Sequence, residues 1–146
     1  MTRDFWAQEM QQQLGQKPAL ELLGEALKSA REAGHFYGCT TQEATIATLR
    51  DEVDELVQAL EVEKTPIRVR NEVGDIIVVL LNICQTNGID FNEAIAKFTE
   101  RWLNRKALQE KQIADAGYTW RSVPPEKNQG FWVQAKKELK AQEEAH

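Results

Sequence analysis

The stretch "NEVGDIIVVLLNIC", residues 71–84, decides how the chain is read. Glu72 and Asp75 stand at the head of an uncharged apolar run, Ile76 to Leu81. No alternation of apolar and polar residues marks it as a strand. Thr65 and Pro66 just upstream are a helix cap and a first helical residue, and Asn87-Gly88 just downstream is a helix stop. The spacing predicts a helix over 66–86. Its apolar run is far short of the roughly 20 residues that span a bilayer. It therefore reads as the core helix of a soluble domain.

The same signals recur on both sides. A short helix is expected from Asp4 to Leu14, stopping at Gly15, and a second from Pro18 to about Ala33, closed by Gly34. Thr40 and Glu43 form a capping box for a helix over 41–62. In it Ile46, Leu49, Val53, Leu56, Val57 and Leu60 follow a helical spacing. Asp90 and Glu93 open a helix over 91–116, ended by Gly117. "YTWRSVPPEKNQG" reads as irregular, and an amphipathic helix is expected from Phe131 to about Glu143. No segment looks like a strand. The fold class is all-α, an antiparallel helical bundle with a four-helix core. The expected domain is 1–117, with 118–146 as a C-terminal extension. Trp120, Phe131 and Trp132 of that extension would pack on the core or on a neighbouring subunit.

Composition narrows the function. Across 146 residues, 42% are apolar and 28% charged, with a net charge of −5. That balance argues against nucleic acid as the main partner. The N-terminus has no apolar leader core, so the cytoplasm is the expected location. Cys39 and Cys84 show no metal spacing, and Cys84 reads as a small core residue.

Glu72 and Asp75 are three residues apart, about 60° around a helix. Glu72 shares a stripe with Ile76, Val79 and Ile83, which turns it toward the bundle interior. Gly74 between the acids leaves room for a close approach. The preceding helix carries Glu52 and Glu55 at the same spacing, with Asp51 on the side of Glu55 and Asp54 pointing away. Taken alone, Glu52 and Glu55 read first as an ordinary solvated helix face, and Glu72 and Asp75 serve as well as a complement to the helix dipole. Folding back on the 63–65 turn brings both pairs to similar heights. Converging buried carboxylates are costly unless a cation shares them. Oxygen-only ligands favour Mg²⁺ or Mn²⁺ over zinc or copper, and Mg²⁺ in turn points to phosphate chemistry.

Farther along, Lys97, Arg101 and Arg105 step along one helix beside Ile95, Phe98 and Trp102, with Asn104 adding an amide. On their own they read as a solvated face. His35, Phe36 and Tyr37 lie in a loop and can stack on a base or plug a core. Asn82 is polar within an apolar helix and needs a partner, either a ligand or another helix.

Together, "LRDEVDEL" (49–56), the ExGDxxxxLLNI pattern from Glu72 and "NGIDFNEAIAKFTERW" (87–102) resemble the MazG-type nucleoside triphosphate pyrophosphohydrolases of the all-α NTP pyrophosphatase superfamily. The resemblance covers roughly residues 20–106. It implies Mg²⁺-dependent cleavage between the α and β phosphates of a nucleoside triphosphate. It implies Glu52, Glu55, Glu72 and Asp75 as metal ligands, and Asp51, Glu52 and Glu55 as the catalytic group. Where the family often has a Glu, this chain has the shorter Asp51. Lys97, Arg101, Asn104 and Arg105 are expected to hold the triphosphate. The resemblance also implies a homo-oligomer, dimer or tetramer. Two alternatives stand beside it. One is a narrower relative acting on dUTP, dCTP or phosphoribosyl-ATP. The other is a non-catalytic helical interaction protein.

Overall fold

The computed structural model describes residues 5–35 and 41–145. Thr40, Phe36, Tyr37 and Cys39 lie outside the described residues. The described residues form helices and turns only: α1 (Trp6–Gln11), α2 (Ala19–Glu32), α3 (Gln42–Gln58), α4 (Pro66–Thr86), α5 (Phe91–Asp115) and α6 (Pro125–Glu144). The all-α class is borne out. The chain divides into two compact units, residues 1–91 and 92–146.

In the first unit α4 packs against both α2 and α3, and α1 packs on α2. α4 occupies the expected span. Thr65 caps it, its hydroxyl accepting the Arg68 N–H at 3.3 Å, with Pro66 in the first turn. Val79, Leu81 and Asn82 are buried along it, and Cys84 is half-buried. α2 ends where Gly34, at φ +83°, lets the His35 N–H reach back to the Ala30 carbonyl at 2.8 Å.

α3 departs from expectation in three ways. The residue that caps it is Thr41, whose hydroxyl accepts the Ala44 N–H at 3.1 Å. The helix therefore begins one residue later than the capping-box reading placed it. At its far end the α-helix gives way to a π-helical turn, Ala59–Glu63, closed by the Lys64 N–H on the Ala59 carbonyl at 2.8 Å. Lys64 adopts a left-handed conformation, φ +53°, which reverses the chain into α4. Finally, α3 buries no residue. Ile46, Val53, Val57 and Leu60 of the expected inner stripe are each more than 40% exposed.

In the second unit α5 ends at Gly117, φ +84°, with the Tyr118 N–H on the Ile113 carbonyl at 3.0 Å. The end of the stretch read as irregular, from Pro125 on, is helical, because α6 starts at Pro125 and not at Phe131. Pro124 is extended, and Pro125 occupies a first-turn position whose missing N–H costs no hydrogen bond. Three neighbouring α5 side chains hold the C-terminal segment. Arg105 forms a two-pronged ion pair with Glu143, its Nε 2.7 Å from Oε1. Gln109, 2% exposed, donates to the side chain and carbonyl of Asn128 at 2.6 and 3.0 Å. The Lys106 ammonium lies 4.4 to 5.6 Å from the ring centres of Trp132, Trp120 and Trp102. Trp120 and Trp132 thus pack on α5.

Candidate metal centre

Two local signals set the height of the acids. The capped start of α4 at Thr65 fixes where Glu72 falls, and the π turn with Lys64 fixes how α3 returns to it. The result joins three side chains. Glu52 and Glu55 of α3 and Glu72 of α4 each offer a carboxylate oxygen, and these oxygens lie within 4.8 Å of one another. Asp75, one turn past Glu72, stands outside that group. Its charge still reaches Glu52 and Glu72, raising the pKa of each. Asp51 is exposed beside Glu52, and Asp54 is exposed as expected.

Burial grades across the cluster. Glu55 is exposed, Glu52 and Asp75 are half-buried, and Glu72 is 2% exposed. Among the described residues of the first unit, Glu72 is the most buried charged side chain. Burial pushes its carboxyl above the usual range, Arg68 opposes this, and Glu55 and Asp75 add to it. Glu52 is raised too, first by burial and then by Glu55, Asp75, Glu72 and Asp51. Such mutual repulsion is what a bound cation relieves.

Arg68 is a residue the sequence reading did not single out. Its Nη2 lies 2.7 Å from Glu72 Oε1, and its Nε 2.5 Å from Glu63 Oε2. The i, i+4 spacing of Arg68 and Glu72 on a helix was the available signal. Arg68 satisfies only one oxygen of Glu72. Among the described residues, Glu72 Oε2 is buried with no hydrogen-bond donor, and so is Glu52 Oε2. Buried carboxylate oxygens without donors are rare in folded proteins. An all-oxygen set with two such orphans fits a hard divalent cation, which takes carboxylates and completes its shell with water.

The basic residues belong to the second unit. Lys97 is exposed, 3.9 Å from Glu100. Arg101 lies over the Phe98 ring at 5.7 Å, and Asn104 is exposed. Arg105 differs from them because Glu143 already occupies its guanidinium. That hydrogen bond holds the Glu143 carboxyl below the usual range.

Comparison with known proteins gives two findings. The model of the MazG nucleotide pyrophosphohydrolase domain matches residues 40–107. The nucleoside triphosphate pyrophosphohydrolase/pyrophosphatase MazG of Thermotoga maritima is 25% identical over 119 residues. That alignment takes in 82% of this chain and 44% of the relative, so the chain spans less than half the length of the protein it matches. Over residues 40–107, the segment that holds the acids and the basic residues of α5, the chain is a match to the MazG nucleotide pyrophosphohydrolase domain family, and the resemblance read from its sequence is borne out.

Proposed function

We propose that the protein is a Mg²⁺-dependent nucleoside triphosphate pyrophosphohydrolase. It splits the α–β phosphate bond of ribo- or deoxyribonucleotides to give a monophosphate and pyrophosphate, a role suited to clearing the nucleotide pool. One observation carries this reading. Three carboxylates from two antiparallel helices converge with orphaned buried oxygens, inside the segment that matches the MazG domain.

Glu52, Glu55, Glu72 and Asp75 would hold Mg²⁺, with Mn²⁺ as a substitute. When bound, the ion lowers the pKa of water and neutralises phosphate charge. Asp51, beside Glu52 and open to solvent, orients the attacking water and takes its proton, with Glu52 and Glu55 fixing the geometry. The water oxygen bonds to phosphorus as the α–β bridging bond breaks, and pyrophosphate carries away the bridging electrons. Arg68 keeps Glu72 ionised and oriented. Lys97, Arg101 and Asn104 hold the outer phosphates, and Arg105 joins them on release from Glu143.

We further propose a cytoplasmic homo-oligomer, dimer or tetramer, whose assembly completes the four-helix core. The exposed apolar side chains of α3, together with Ile67, Val73 and Leu80 of α4, support this reading. In it residues 1–117 form the enzymatic domain and 118–146 an extension. No nucleic acid or membrane partner is invoked. Among the described residues no single helix is long and apolar enough to cross a membrane.

The test is incubation with Mg²⁺ and a panel of NTPs and dNTPs, followed by product identification. Monophosphate plus pyrophosphate is expected. A confined response to dUTP, dCTP or phosphoribosyl-ATP would favour the narrower activity. Release of orthophosphate, or no turnover with Mg²⁺ or Mn²⁺, would contradict the proposal and leave the helical interaction protein.

A further inference from the structure

A second polar cluster lies in the first unit, farther along α4. Arg31 of α2 donates from Nη1 to Gln85 Oε1 and from Nη2 to Asn82 Oδ1, both at 2.7 Å. Gln85 in turn donates from Nε2 to the Gly24 carbonyl at 3.0 Å. Arginine has no acceptor atom, so it can only face amide oxygens. This fixes the orientation of both amides and turns the Asn82 NH₂ away from the guanidinium. Asn82 is 2% exposed, yet its Nδ2 has no acceptor among the described residues, and neither does Arg31 Nε. Every acceptor oxygen of the two amides is engaged by Arg31. Two buried N–H donors remain, and buried donors are rarely left without an acceptor.

Register ties this cluster to the acids. Asn82 is seven residues after Asp75, two helical turns along the same face of α4 and roughly 10 Å away. That span is comparable to a nucleotide's reach from its 5′ phosphates to the far edge of its base. We propose that Asn82 and Arg31 form a base-recognition site selecting nucleobases with an exocyclic carbonyl on that far edge. They would bind O6 of a purine or O4 of a pyrimidine. A base with an amino group there presents donors to donors and is rejected. This assignment rests on the proposed pyrophosphohydrolase activity for its register, but not for the donors themselves.

The test uses substrate pairs that differ only at that edge, ITP against ATP and UTP against CTP. The kcat/KM ratio should favour the carbonyl member by about tenfold or more. Asn82→Asp keeps the acceptor for Arg31 but replaces the free NH₂ with an oxygen. It should collapse or invert both ratios. A purely structural role for Asn82 would lower all four substrates alike. A second arm needs no metal and no turnover. IMP should bind more tightly than AMP to the wild type, and the preference should vanish in Asn82→Asp. Preference in this arm without turnover on any triphosphate would count against the proposed reaction and support the recognition site. Equal ratios in the wild type, unequal ratios left unchanged by Asn82→Asp, or equal binding of IMP and AMP, would overturn it.

Discussion

The Arg68 guanidinium sits 2.7 Å from one oxygen of Glu72 and leaves the other buried, with no donor among the described residues. A single i, i+4 pair thus treats the two oxygens of one carboxylate differently. One oxygen meets a positive charge that offsets the cost of burial, and the other is the atom proposed to meet a cation.

Removing that partner should expose the cost. Arg68→Gln leaves Glu72 with its burial and its acidic neighbours but no positive charge. The metal-free variant is expected to melt several degrees below the wild type. Saturating Mn²⁺ should recover much of the difference. Melting curves with and without the ion check this; a variant with unchanged stability in both would contradict the role of Arg68.

Glu72 and Glu52 both have raised pKa values in the folded, metal-free protein. The folded state then binds more protons than the unfolded one between the ordinary carboxylate pKa and the raised values. Their contribution to stability is full below that window and is lost as pH rises through it. A cation binds the deprotonated form and reverses the loss. The increase in melting temperature given by Mg²⁺ should therefore be larger at pH 7 than at pH 5. A Mg²⁺ effect independent of pH would contradict the coupling.

Asp51 is exposed beside the cluster, so its loss should leave the cation site intact. Asp51→Asn is expected to lower kcat by about a hundredfold, within the range for a general base, with Mn²⁺ affinity unchanged. Calorimetry and initial rates separate the two effects. Equal loss of both would make Asp51 a ligand.

In the second unit, Lys106 lies among three tryptophan rings. Lys106→Met keeps the stem and removes the cation. It should shift tryptophan emission and destabilise the unit by about 1 kcal/mol or more. Emission spectra and denaturant titration report both.

Much of this was legible in the sequence, and the gaps have physical causes. The α4 helix was readable because Thr65, Pro66 and Asn87-Gly88 mark its ends locally. The pairing of Glu52 and Glu55 with Glu72 followed from equal spacing on helices joined by a short turn. The π turn at Ala59–Glu63 left no mark, since a widened hydrogen-bond ring needs no special residue. The α3 cap was misplaced by one residue because Thr40 and Thr41 are chemically interchangeable there. The stretch around Pro124-Pro125 reads as irregular although Pro125 opens α6. Arg105 was placed on a helix face correctly, but its partner Glu143 is 38 residues away, and no periodicity reports a tertiary ion pair. The Arg31–Asn82 bond, 51 residues apart, was hidden for the same reason. Asn82 was visible only as a polar residue needing a partner.

The central claim is that the acid cluster is a cation-dependent catalytic centre, and Glu72→Gln tests it most directly. The substitution keeps the shape and removes the charge of the most buried acid. Mg²⁺-dependent conversion of a nucleoside triphosphate to monophosphate and pyrophosphate should be lost, while circular dichroism shows the helices of the wild type. A folded Glu72→Gln protein with full Mg²⁺-dependent turnover would contradict the account.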